Sequence, residues 1–352
     1  MSIQHLKSAL YDFVARYHEA GYFPSASVRI FNKNQTLAIC SVGEAKQDSM
    51  FDVASLTKIA TTTQILGLID EQRLSFEDEI IGFFPEAEKD EYMSKRLKGI
   101  TIIRLLTHTS SLPAWYPFYI WQGAEFWNAF KSAVINQLPT EGVVYSDLNF
   151  ILLGKLIEKM RGMPLNDCLK IYLTEPLGIS DEMMYLPDTS KYYSIIPSSY
   201  GNPIEMQMCA DRKVCFDRWR SLDEPITGMV NDGNCYYYFN GVSGHAGIFA
   251  TANAYEQLCR FYMRSEKTLL QLAQHEQQFS PGRGIGFQTG TTYPHGCGHN
   301  GFTGTSIYFS TEYNIGVVAM TNRLFFKEPS GQNLGEFRHA LHEMTFSVGA
   351  EL

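Results

Sequence analysis

Apolar residues recur at helical spacing in the first 22 positions, where Leu6, Leu10, Phe13, Val14 and Tyr17 share one stripe and predict an amphipathic helix. Two β-rich runs, Ala26–Phe31 and Thr36–Val42, flank the polar turn Asn32-Lys33-Asn34-Gln35 and predict a hairpin. A connector over 43–50 leads to Phe51-Asp52-Val53-Ala54-Ser55-Leu56-Thr57-Lys58. The stretch after it, with Ile59, Ala60, Ile65, Leu66, Leu68 and Ile69, carries few charges. A helix without a charged face is a buried one, here ending near 71–75.

From about 75 to about 181 the pattern is helices and loops. Residues 100–106 begin a helix that stops at Thr107-His108-Thr109-Ser110-Ser111-Leu112-Pro113. Residues 148–160 form a strong one, with Leu148, Ile151, Leu152, Leu156 and Ile157 in phase, stopped by Arg161-Gly162-Met163-Pro164. Between them Trp115, Tyr116, Phe118, Tyr119, Trp121, Phe126, Trp127 and Phe130 are crowded together, as core or as the wall of an apolar cleft. Residues 185–240, broken by prolines and glycines, read as a long functional loop region. A helix capped by Thr251 follows, with Ala254, Leu258, Phe261 and Tyr262 on its apolar face. Strands are expected at 284–287, 303–310 and 315–321, and a last helix at 333–347. This order predicts an α/β fold of the α+β kind: an antiparallel sheet flanked by N- and C-terminal helices, with an inserted all-helical lobe. The expected division is a discontinuous sheet domain, 1–74 and 241–352, and a helical, loop-rich lobe, 75–240.

Composition narrows the function. A net charge of −8 argues against nucleic acid or an anionic membrane as the main partner. No apolar run is long enough for an integral membrane segment. The N-terminus lacks the basic start and apolar middle of a signal peptide, which points to the cytoplasm. The seven cysteines include no C-x-x-C pair, favouring free thiols over a disulfide framework or zinc site. His295 and His299 flank Gly296 and Gly298 in what reads as a loop, so no metal ligation is expected.

Three stretches carry candidate chemistry. Ser55 and Lys58, one turn apart at a helix start, suit nucleophilic catalysis if the lysine is buried and activated. The bland alternative is an N-cap serine and a solvated lysine. Tyr145-Ser146-Asp147-Leu148-Asn149 precedes the strong helix; Tyr145 is placed to point into a cleft, and Asp147 reads equally as an N-cap. His299-Asn300-Gly301-Phe302-Thr303 opens a strand, with Gly301 leaving room for a substrate against the strand edge and His299 either donating to the site or lying in a surface loop.

In combination, S-x-x-K, then Y-S-x about 90 residues on, then H-x-G before a late strand resemble the serine β-lactamase and penicillin-binding-protein superfamily, closest to its class C and esterase-like branch. Residues 105–113, Ser243-Gly244-His245-Ala246-Gly247-Ile248-Phe249 and Thr321-Asn322-Arg323 also look like this family. The resemblance implies that Ser55 is the nucleophile, Lys58 its proton acceptor and Tyr145 the general base that protonates the leaving group. It implies an oxyanion hole from the backbone N–H groups of Ser55 and Phe302, and a substrate lying against Gly301 and Thr303. Asp147 stands where the family usually has asparagine, and His299 where many relatives have lysine; Asn149 is a candidate neutral contact. An aspartate at 147 would pair with Lys58 and raise its pKa. The implied activity is cofactor-free ester or amide hydrolysis through an acyl-enzyme, on a small-molecule or peptide-like substrate. Alternatives within the resemblance are a D-alanyl-D-alanine carboxypeptidase, a muropeptide amidase or a β-lactamase; outside it, a non-catalytic binding protein with the same fold. A neutral His299 and an anionic Asp147 predict a preference for uncharged substrates.

Overall fold

The computed structural model describes residues 3–135, 137–192 and 194–351. The predicted hairpin is present: β1 (Ala26–Phe31) and β2 (Thr36–Val42) pair antiparallel, Val28 opposite Cys40. Next come β3 (Phe51–Asp52), β4 (Met183–Tyr185), β5 (Ile248–Ala250), β6 (Cys297–Asn300), β7 (Ser306–Ser310) and β8 (Ile315–Thr321). The main sheet runs β2-β1-β8-β7-β6 and is antiparallel throughout, joining the two ends of the chain through β1 and β8. A small sheet, β3-β5-β4, sits beside it.

Two layers of helix bury the main sheet. On one face α1 (Ile3–Glu19) packs Leu6, Leu10 and Val14 with Phe337 and Leu341 of the final helix, Leu334–Glu351, over Val28, Ile30 and Val317. The other face takes the Ala252–Arg264 helix and α2 (Thr57–Asp70), through Leu258, Tyr262, Ile59 and Ile65 among others. Thr251 caps the first of these as its sequence predicts, accepting the Ala254 N–H at 3.1 Å. Strand β8 is buried on both faces, which is why it reads as a continuous apolar run rather than an alternation.

Two elements differ from expectation. Residues 284–287 are a tight turn, not a strand: Gly286 has φ +79, and a Cβ there would lie 2.1 Å from Thr62 Oγ1. The outer strand is instead Cys297–Asn300, in the stretch that reads as a glycine loop. Gly298 is needed because Ile307 O and Tyr293 leave no room for a side chain. The 303–310 run is likewise shortened, to Ser306–Ser310. Of the crowded aromatics, Phe118, Tyr119 and Phe130 are core, while Trp115 faces the cleft described next.

Candidate active site

The turn carrying Ser55 is built by β3 and held from behind. Val53 and Ala54 lead into a short 3₁₀ turn, Ala54–Leu56, that continues as α2, so Ser55 stands just before the α-helix rather than inside it. Ala54 has φ +47, a conformation that costs a non-glycine residue about 1 kcal/mol or more. Asp52 stabilises it. One carboxylate oxygen accepts the Ala54 N–H at 2.8 Å, and the other accepts the Asn231 N–H at 2.6 Å. Burial pushes the Asp52 carboxyl up to about 6.

Lys58 is fully buried. Its Nζ lies 3.0 Å from Ser55 Oγ, 3.1 Å from the His245 carbonyl and 2.8 Å from Asp147 Oδ1. The His245 carbonyl arrives there because Gly154 of the Asp147–Arg161 helix and Gly244 meet backbone to backbone. A Cβ on Gly154 would lie 2.9 Å from Gly244 N. Thr61 fixes the same segment through Gly244 O at 2.7 Å. Burial alone works against the ammonium, but the Asp147 carboxylate and then Tyr145 outweigh it and raise the Lys58 pKa. The pair with Asp147 thus favours the ammonium form of Lys58, held 3.0 Å from Ser55 Oγ. That charged form works against the proton-acceptor role expected for Lys58.

Tyr145 lies over this ammonium, Nζ 5.0 Å from its ring centroid, with the Arg283 guanidinium 5.1 Å away. The His108 ring packs at 4.6 Å and the His299 ring at 5.9 Å between centroids. Both histidines are buried, and burial together with the nearby cations Lys58 and Arg283 holds their pKa values well below the ordinary one. His108 Nδ1 accepts the Ser146 N–H at 3.0 Å. His299 is neither in a surface loop nor a donor to the site. Its Nδ1–H bonds the Asn300 carbonyl at 2.9 Å, and the unpartnered Nε2 is left as an acceptor.

Other expected residues take different places. Asp147 is the first residue of its helix rather than the N-cap, which is Ser146, and its carboxylate goes to Lys58. Asn149 makes its side-chain bonds elsewhere than to Lys58: it accepts from Ser110 Oγ at 2.6 Å and donates to Leu105 O at 3.1 Å, tying helix to loop. Thr303 turns its hydroxyl to Asp52 O at 2.7 Å and is buried behind the site instead of lining it. Gly301 does line the cleft, but its missing Cβ makes room for protein: a Cβ would lie 2.5 Å from Val53 O and 2.0 Å from Thr305 Oγ1. Gly301 thus lets the end of β6 close on the Ser55 turn. The Phe302 side chain borders the opening, and among the described residues neither the Ser55 nor the Phe302 backbone N–H has an acceptor.

These groups open into a cleft of about 350 Å³, lined by Ser55, Tyr145, Asp147 and Phe302. Trp115, from the crowded aromatic stretch, also lines it, as do Glu205, Asp232 and Arg338, which carry no signal in local sequence. Asp232 accepts from His245 Nε2 at 3.0 Å and Cys235 N at 2.7 Å. Burial opposes its charge, yet His245 and Lys58 keep its carboxyl below the usual range. Arg338 donates to Gly301 O and Thr305 O at 2.6 and 2.9 Å and meets no carboxylate among the described residues; burial pushes it down to about 10.

The family model described as Beta-lactamase matches residues 10–338. An N-acetylmuramyl-L-alanine amidase of Bacillus subtilis (strain 168) is 26% identical over 311 residues, covering 79% of this chain and 69% of the relative. A putative D-alanyl-D-alanine carboxypeptidase of Salmonella enteritidis PT4 is 23% identical over 355 residues, covering 87% and 80%. Among solved structures, a class C beta lactamase superposes with a TM-score of 0.72 at 15% identity, over 100% of this chain and 99% of that one.

Proposed function

This chain belongs to the beta-lactamase family of serine hydrolases, and from that premise we propose that it hydrolyses an ester or amide bond through an acyl-enzyme on Ser55. The observation that carries the reading is the Lys58 tripod, an ammonium with no solvent exposure whose bonds include one to Ser55 Oγ at 3.0 Å. In the proposed sequence the substrate carbonyl oxygen takes the free N–H groups of Ser55 and Phe302. Ser55 Oγ attacks the carbonyl carbon, with Tyr145 as the general base that takes its proton. Tyr145 then hands that proton to the leaving group as the C–O or C–N bond breaks. Water enters, gives Tyr145 a proton as it attacks the ester, and the acid departs as Ser55 is reprotonated. Lys58 holds the serine oxygen and meets the negative charge that develops beside it. Terms of this kind contribute about 10²–10⁴-fold for the acid–base group and about 10²–10³-fold for an oxyanion donor.

The cleft supports a substrate with a carboxylate on its leaving group, contrary to the preference for neutral substrates expected from His299 and Asp147. The Asp147 charge is spent on Lys58 at 2.8 Å, and Arg338 supplies a cation without an acidic partner on the same cleft. That chemistry matches a peptide ending in a free carboxylate, as in the carboxypeptidase named among the relatives. No helix among the described residues is long and apolar enough to cross a membrane.

A fluorophosphonate titration tests the nucleophile: one equivalent should label Ser55 in the wild type and none in Ser55→Ala. Stoichiometric labelling of another serine refutes the assignment. A panel of a nitrophenyl ester, a chromogenic cephalosporin and a peptide ending in D-alanyl-D-alanine then ranks the substrates. Arg338→Met should lower kcat/KM for the peptide more than for the ester.

A further inference from the structure

A second cavity, of about 430 Å³, adjoins the reactive cleft. The two share Glu205, Asn231, Phe302 and Arg323, whereas Tyr145, Asp147, Asn300 and Arg338 line the first alone. A carbonyl carbon carries two substituents. Proton delivery puts the leaving group on the Tyr145 side, so the acyl chain departs the other way, toward the four shared residues.

The second cavity is built for something mostly apolar. Pro203, Ile204, Phe302, Leu324 and Phe326 line it, and Ile204 and Phe302 are 41% and 40% exposed, large hydrophobic side chains open to water at a cleft. It is also cationic. Arg323 gives its Nε–H to Phe302 O at 2.9 Å, and Lys327 lies 5.9 Å from the Tyr200 ring centroid; neither is ion-paired with a carboxylate among the described residues. The acid on the shared wall, Glu205, accepts the Gly233 N–H at 2.6 Å. Burial, then Asp232, holds its carboxyl above the usual range, which weakens it as a counter-charge. The hydroxyl of Tyr22, which lines the cavity, donates to Glu336 at 2.9 Å.

We propose that the second cavity is the subsite for the acyl half of the substrate, and that it takes an extended acyl chain, apolar in its middle and anionic at its far end. This rests on the serine-hydrolase reading above. The substrate class is then one with two anionic ends, a carboxylate beyond the scissile bond at Arg338 and an acid on the acyl side at Arg323 and Lys327.

The test uses three 4-nitrophenyl esters with one leaving group: the acetate, the 5-phenylpentanoate and the 5-(4-carboxyphenyl)pentanoate. For the wild type kcat/KM should rise in that order. Ile204→Glu should lower the phenylpentanoate-to-acetate ratio about tenfold or more, the scale of a blocked apolar contact. Lys327→Glu, a surface exchange, should lower the carboxyl-to-neutral ratio about fivefold, the scale of an exposed ion pair, without changing the phenylpentanoate-to-acetate ratio. Fluorophosphonate labelling of Ser55 checks that each variant is folded. Labelled enzyme with flat acyl selectivity, or with Ile204→Glu acting equally on all three esters, overturns the subsite alone. A wild type that is never labelled at Ser55 overturns the hydrolase reading and the subsite with it.

Discussion

Asp147→Asn removes the carboxylate 2.8 Å from Lys58 Nζ while leaving an amide oxygen in its place. At that distance, with an effective dielectric constant of about 20, the attraction is about 6 kcal/mol. The amide dipole returns part of it, and the lysine can shed its proton, so the net cost is bounded by the about 3–5 kcal/mol of an orphaned buried charge. We expect about 3 kcal/mol at pH 7. The pH dependence has a definite sign. In the wild type the folded Lys58 pKa lies above the ordinary 10.5. Its contribution is therefore full below pH 10.5 and is lost only as pH rises through the higher folded value, which leaves stability flat in this respect from pH 7 to 9.5. Without the carboxylate, burial is opposed by Tyr145 alone, and we expect the folded pKa to fall below 10.5. The variant must then hold a poorly compensated buried ammonium at low pH, so its deficit is largest there and shrinks as pH rises. Thermal unfolding followed by circular dichroism at pH 7 to 9.5, short of phenol ionisation at about 10, compares the two proteins. A Tm difference that is absent at pH 7, constant with pH, or growing with pH would refute the reasoning.

Tyr145→Phe should cut the acylation rate of a nitrophenyl ester by about two to four powers of ten with an unchanged Tm; unchanged acylation would make another group the base. Gly301→Ala forces a Cβ to 2.5 Å from Val53 O, a backbone atom of the Ser55 turn. Displacing that turn from Phe302 should cost about a hundredfold in kcat, and full activity would show that the two segments move apart freely. His299→Lys should raise kcat/KM for a carboxylate-bearing substrate relative to a neutral ester, and lower Tm by placing a second buried cation near Lys58. No relative gain would mean that position 299 does not reach the substrate.

What the sequence made legible was what side-chain pattern encodes locally. The hairpin, the buried α2, the Leu148-led helix and the Thr251 cap all follow from periodicity and capping within one element. Two kinds of feature escaped. Glycines at 284, 286, 296 and 298 look alike in sequence, yet one pair makes a turn and the other lets β6 approach β7, because only the tertiary neighbour decides which. The site's supporting contacts are made by backbone atoms and by loops far apart in the chain. The His245 carbonyl on Lys58, Asn231 N on Asp52 and the Gly301 carbonyl on Arg338 leave no side-chain signature. The Thr303 hydroxyl on Asp52 O and the Asn149 amide on Ser110 and Leu105 have a related reason: proximity in sequence to a motif does not say which way a side chain turns.

The two departures from the family pattern, aspartate at 147 and histidine at 299, are best understood as one electrostatic change. With the usual asparagine and lysine, two ammonium groups would serve this cleft and the carboxylate at 147 would be absent. Here Lys58 is neutralised by Asp147 at 2.8 Å, and the imidazole at 299 is held neutral by burial and by the cations beside it. Lys58, Asp147 and His299 together thus carry no net charge, and Asp232 adds a carboxylate to the same cleft. The positive charge that a carboxylate substrate needs is moved outward, to Arg338 on the reactive cleft, Arg323 on the wall it shares with its neighbour and Lys327 on the neighbour. A cation farther from the reacting carbonyl binds a carboxylate farther along the substrate. That displacement favours longer ligands over the compact ring of a β-lactam, whose carboxylate lies close to the bond that breaks.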